Sequence, residues 1–135
     1  MARDISDLTV LIIDDEPSVT RLLKMMLNDL NVAQVFVAKD GRDALDFLGS
    51  FDDAGVDFII CDWNMPRMTG IDLLQQFRTV DPDVPFVMLT GRNDMDSVTA
   101  ARDLGVTGYL LKPFSQEQLE QYLNSVLTKE SGAAA

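Results

Sequence analysis

A doubly wound α/β sandwich of five β–α units is the fold that the sequence predicts, on three observations. Short continuous apolar runs recur along the 135 residues. Segments of helical spacing separate them. The residues that stand out chemically follow the apolar runs directly. Residues 8–13 are apolar apart from Thr9, residues 58–61, 86–89 and 109–111 are similar runs, and 32–38 is a weaker one. Runs that are continuous rather than alternating belong to strands covered on both faces, as in a parallel sheet.

The helical segments follow in order. Val19, Leu22, Leu23, Met26, Leu27 and Leu30 mark one apolar stripe. Ala44, Leu45 and Leu48 form a shorter one, as do Ile71, Leu74 and Phe77. Residues 95–104 are helical in pattern but less apolar, and Leu119, Tyr122, Leu123, Val126 and Leu127 give the last stripe. Pro17 suits a first helical position, Ser115 with Gln118 reads as a capping box, and Asp40 and Asn93 read as caps. Parallel strands joined by helical crossovers bind ligands outside the carboxyl ends of the strands.

Composition narrows the function. Twenty-two acidic and 11 basic residues leave a formal charge of −11. That argues against direct nucleic-acid binding, which needs a basic surface, and against anionic lipid. No stretch approaches the ~18–20 apolar residues of a membrane helix. The first residues lack the layout of a signal peptide, so a cytoplasmic location is expected. Residues 1–129 read as one domain and 130–135 as a flexible C-terminal tail. There is no histidine and one cysteine, Cys61. This removes histidine-assisted catalysis, cysteine-rich zinc sites and an internal disulfide, and the apolar neighbours of Cys61 suggest a buried, inert thiol.

At the carboxyl ends of the predicted strands stand Asp14 and Asp15, then Asp62, Thr90, and Lys112 with Pro113. Three clustered carboxylates repel one another unless a cation joins them. Oxygen ligands point to a hard ion, Mg²⁺ first and Mn²⁺ second. Thr90 can donate to a phosphoryl oxygen, Lys112 supplies a mobile positive charge, and Asp62 is the natural carboxylate nucleophile. Singly, each has a plainer role: Asp14 and Asp15 as helix caps, Asp62 as a residue leaving the sheet, Thr90 as a loop cap, Lys112 as a solvated charge. Their convergence on one edge of one topology favours a shared site.

The motifs LIIDDE (11–16), DWNMPRMTG (62–70), LTG (89–91) and GYLLKPF (108–114) occur in order, each at a strand end. In these the chain resembles the receiver domain of bacterial two-component response regulators, particularly the single-domain chemotaxis type, over about residues 8–127. The resemblance implies a flavodoxin-like sheet in the order 2-1-3-4-5 and a phosphorylation-activated switch. It implies that Asp62 accepts a phosphoryl group from a sensor histidine kinase or phosphotransfer protein. Asp14, Asp15 and Asp62 would hold Mg²⁺ with the backbone carbonyl of Asn64, and Thr90 and Lys112 would bind phosphoryl oxygens. Tyr109 would be the aromatic switch residue, and the Lys112–Pro113 peptide would be cis. The face of helix 4, strand 5 and helix 5 would engage an output protein, as a monomer or a phosphorylation-dependent dimer. Such a domain catalyses only its own phosphorylation and dephosphorylation. Gly91, after Thr90, is small enough for phosphoryl access and compatible with the family. Arg92 stands where chemotaxis relatives usually carry an acid, which bears on dephosphorylation and phosphatase recognition.

Other readings fit less well. A haloacid dehalogenase-type phosphohydrolase would carry a D-x-D motif on its first strand, where this chain has Asp14-Asp15-Glu16. A degenerate receiver acting as an interaction module would have lost one of the acids or the lysine. A flavodoxin-like electron carrier would need a phosphate-binding loop where these acids stand. Trp63 reads equally as a surface aromatic or a partner contact, and Met65 and Met68 read as exposed residues beside the site.

Overall fold

The continuous apolar runs become strands. The computed structural model describes residues 4–49, 56–63, 65, 68–80, 84–90, 105–111 and 114–130. Its strands are β1 (Thr9–Ile13), β2 (Gln34–Ala38), β3 (Phe58–Asp62), β4 (Phe86–Thr90) and β5 (Gly108–Leu111). They form one parallel sheet in the order β2-β1-β3-β4-β5, the order that the resemblance implied. The described helices are α1 (Pro17–Asp29), α2 (Gly41–Gly49), α3 (Gly70–Val80) and α4 (Gln116–Glu130). The last is the fifth helical segment of the sequence. The fourth, 95–104, lies outside the described residues, as does the expected cap Asn93 and the tail from 131 onward.

Both faces of the sheet are covered, which is why the central strands read as unbroken apolar runs. Every residue of β3 and β4 is buried, whereas the edge strands β2 and β5 mix buried and exposed positions. Alternate residues feed two cores. Val10, Ile12, Phe58, Ile60, Val87 and Leu89 pack with Leu23 and Leu27 of α1 and Leu119 and Leu123 of α4. Leu11, Ile13, Ile59, Cys61, Phe86 and Met88 pack with Ala44 of α2 and Leu73, Leu74 and Phe77 of α3. Phe77 and Phe86 meet edge to face at 5.6 Å. Each such large apolar side chain contributes roughly 1.5–3 kcal/mol by leaving water. The stripe of α1 is narrower than its sequence pattern suggests: Leu22, at its margin, is 40% exposed.

Capping explains where elements start and stop. Pro17 occupies the first turn of α1. Asp40 accepts from the Asp43 N–H at 2.8 Å, and the Ser115–Gln118 box is reciprocal, at 2.9 and 3.2 Å. Ser115→Ala should cost about 1 kcal/mol by leaving the Gln118 N–H without its cap. A urea titration should show a lower midpoint at unchanged slope. Thr69 and Asp72 form a further reciprocal box at the start of α3.

Two strand boundaries differ from the sequence pattern. Val32 is apolar but does not begin β2, because the end of α1 uses it. Asn31 takes the left-handed conformation at φ 66°. Its N–H donates to Asn28 and that of Val32 to Leu27, so two carbonyls at the helix end are satisfied and Val32 packs with Leu27. At the amino end, Leu8 is buried but follows a 3₁₀ turn, Ile5–Asp7, so β1 starts at Thr9. No helix among the described residues is long and apolar enough to cross a membrane.

Candidate functional site

Only three polar or charged side chains among the described residues are buried: Asp14, Asp62 and Thr90, at 2%, 5% and 5% exposure. They stand at the carboxyl ends of β1, β3 and β4, three adjacent strands. Burying two carboxylates in an otherwise apolar interior is costly. Their concentration on one sheet edge therefore marks the site.

Local structure positions each group. The Asp14 N–H extends the ladder past β1 by donating to Ala38 at 3.1 Å. Its Oδ1 accepts from the Glu16 N–H at 2.8 Å and turns the chain toward α1. The N-cap of that helix is Glu16, with no side-chain cap bond, so neither Asp14 nor Asp15 serves as the cap. Asp15 is exposed beside them. Carboxylate oxygens of Asp14, Asp15 and Asp62 lie within 4.8 Å of one another.

Asp62 closes β3 and pairs in register with Leu89. Beyond it the Trp63 N–H donates to Leu89 at 3.0 Å, and the Gly70 N–H to the Trp63 carbonyl at 2.9 Å. A Cβ at Gly70 would stand 2.8 Å from the Asp62 carbonyl oxygen and 2.9 Å from Met88 Sδ. Glycine thus lets the start of α3 press against the main chain of Asp62. The sequence shows this glycine within the 62–70 motif but gives no sign of the contact.

Cys61 is fully buried, as expected. Desolvation pushes its thiol pKa well above the usual range, and the charges of Asp62 and Asp14 push it further. The neutral thiol donates to the Asp62 carbonyl at 3.3 Å. The donor set is therefore carboxylate oxygen with no thiolate, which fits a hard divalent cation rather than a soft one.

Tyr109 is half-buried on β5 and packs against the core on the α2 and α3 side. Two expectations for neighbouring side chains need correction. Met65 is not exposed but 8% accessible and inside that same core. Met68 is not exposed either but half-buried against it, as is Trp63. Asn64, Gly91, Arg92, Lys112 and Pro113 lie outside the described residues.

A parallel 2-1-3-4-5 sheet with buried acids at the ends of β1 and β3 defines a doubly wound α/β domain with its site at the carboxyl edge of the sheet, and sequence comparison says which kind. Residues 10–124 match the response regulator receiver domain, and the chain belongs to that family. It is a phosphorylation-activated switch of two-component signalling. Among its relatives, the chemotaxis protein CheY of Pseudomonas aeruginosa is 36% identical over 125 residues, spanning 91% of this chain and 98% of that protein. CheY-3 of Vibrio cholerae is 34% identical over 91% of this chain and 94% of its own length. Among solved structures, the chemotaxis protein CheY4 of Vibrio cholerae superposes with a TM-score of 0.80. It is 34% identical, over 89% of this chain and 98% of that one. A receiver domain protein from Clostridium thermocellum gives 0.84 at 26% identity, over 92% and 97%.

Proposed function

We propose that Asp62 is the phosphoacceptor and that Asp14, Asp15 and Asp62, with the backbone carbonyl of Asn64, hold Mg²⁺, or Mn²⁺ in its place. The observation that carries this reading is the trio of carboxylates within 4.8 Å, two of them buried, at one sheet edge. A sensor histidine kinase or phosphotransfer protein presents a phosphohistidine. An Asp62 oxygen attacks phosphorus in line, the new P–O bond forms as the P–N bond breaks, and the imidazole leaves with the bonding pair. When bound, Mg²⁺ supplies positive charge against the charge that builds on the phosphoryl oxygens. Thr90 donates its hydroxyl to one phosphoryl oxygen, and Lys112 neutralises another. The aspartyl phosphate adds charge and acceptor oxygens where a single carboxylate stood.

Thr90 is drawn toward the new group, and Tyr109 turns inward. The face made by the fourth helical segment of the sequence (95–104), β5 and α4 then changes shape for an output protein. The domain acts on no separate substrate. Residues 1–129 act as one receiver unit in the cytoplasm. The test is intact mass after incubation with acetyl phosphate. One phosphoryl group should be gained with Mg²⁺, none without it, and hydroxylamine should remove it. No gain under any condition would replace this reading with an interaction module that acts unmodified.

A further inference from the structure

The chain has two tyrosines, and they meet. Tyr122 on α4 brings its hydroxyl to the main chain of Tyr109 on β5. The hydroxyl accepts from the Tyr109 N–H at 3.0 Å and donates to the Tyr109 carbonyl at 2.8 Å. Gly108 makes room for this, since an added Cβ there would overlap the Tyr122 hydroxyl and ring. β5 is an edge strand, paired only with β4. The two rings belong to opposite layers. Tyr122 packs with the core of α1 and α4, and Tyr109 with that of α2 and α3. The contact therefore passes round the edge of the sheet and ties one layer to the other. An open pocket of about 280 Å³ lies alongside, lined by both tyrosines, Leu110, Gln118, Gln121 and Ser125.

We propose that Tyr122 is a positioning residue for Tyr109. Its hydroxyl pins the Tyr109 main chain, so that phosphorylation is answered by rotation of the Tyr109 side chain rather than by a shift of β5, and it passes that response to α4. The proposal rests on the reading of Tyr109 as the residue that moves. A hydroxyl with two bonds to one residue fixes that residue's backbone on both sides of its Cα, which defines the axis about which the side chain turns. A role in stability alone would leave the response of Tyr109 untouched.

The full chain, labelled with fluorotyrosine, gives two ¹⁹F resonances in the wild type and one, Tyr109, in Tyr122→Phe. Phosphorylation by acetyl phosphate with Mg²⁺ should shift both wild-type resonances. Tyr122→Phe should take up the phosphoryl group to the same extent by intact mass. The shift of its Tyr109 resonance should be at least halved, and its Tyr109 amide should exchange about tenfold faster while the Ile60 amide is unchanged. Gly108→Ala, which displaces the ring and keeps the hydroxyl, should reproduce the loss. An unchanged Tyr109 shift in both variants would overturn the proposal and leave Tyr122 a packing residue. A wild-type Tyr109 resonance that stays still while the mass confirms labelling would overturn the switch reading, and the proposal with it. Absence of any labelling would instead remove the phosphoacceptor reading on which both depend.

Discussion

Asp62→Asn should lose phosphoryl uptake from acetyl phosphate by about a hundredfold or more while keeping the fold. An amide has nearly the shape of a carboxylate, so the space at the end of β3 stays filled. It lacks the anionic oxygen that attacks phosphorus in the proposed reaction. The other two acids of the cluster sit differently. Asp14 commits Oδ1 to the Glu16 N–H, and Asp15 is exposed at the start of the helix-bound turn. The substitution also removes one charge from three carboxylates held within 4.8 Å. Without metal, the thermal midpoint should therefore hold or rise. Intact mass gives the uptake, and circular dichroism with a melt gives the fold. Stoichiometric labelling of the variant would place the acceptor elsewhere, and peptide mapping would then find it. A variant that fails to fold would show that the Asp62 carboxylate is structural.

The strands were readable because both faces of the sheet are covered. With Val10 and Ile12 facing one core and Leu11 and Ile13 the other, no polar residue interrupts the run from Val10 to Ile13. The two buried acids, Asp14 and Asp62, were readable because each breaks such a run where the sheet ends. What escaped the sequence depends on contacts between segments distant along the chain. Val32 looks like a strand residue, yet hydrogen bonding at Asn31 and Val32 assigns it to the end of α1. Met65 follows Asp62 closely in a polar stretch, yet the fold returns it to the core beside Leu73 and Phe77. Tyr122 fits an apolar stripe, and nothing in that spacing tells that its hydroxyl reaches Tyr109, thirteen residues earlier. Gly70 shows the same limit. Its need for no side chain comes from the Asp62 carbonyl on β3 and Met88 on β4. Periodicity reports how a residue meets its own element, while the site is made where elements meet.

Asp15→Ala should separate the two effects of the acidic cluster, because they have opposite signs. Asp15 is exposed, and its side chain is needed neither to fill the core nor to cap α1, whose N-cap is Glu16. Its carboxylate stands within 4.8 Å of those of Asp14 and Asp62, so without metal it contributes mainly repulsion. Solvent screens that repulsion, so removing it should stabilise the metal-free protein by up to about 1 kcal/mol. With Mg²⁺ present the sign reverses. The variant loses one of three anions from the site, and affinity should fall by about tenfold or more. Melts with and without Mg²⁺ read both terms, since ligand binding to the folded state raises the midpoint by an amount that grows with the logarithm of the affinity. Trp63, the single tryptophan, follows Asp62 directly and gives a fluorescence titration as an independent measure. Asp14→Ala should differ in kind. It breaks the bond to the Glu16 N–H that turns the chain into α1, so it should lower stability with or without the ion. Unchanged Mg²⁺ affinity in Asp15→Ala, with the wild-type gain in melting temperature, would mean that the cation is held elsewhere. The cluster would then be a source of strain in the fold rather than a binding site.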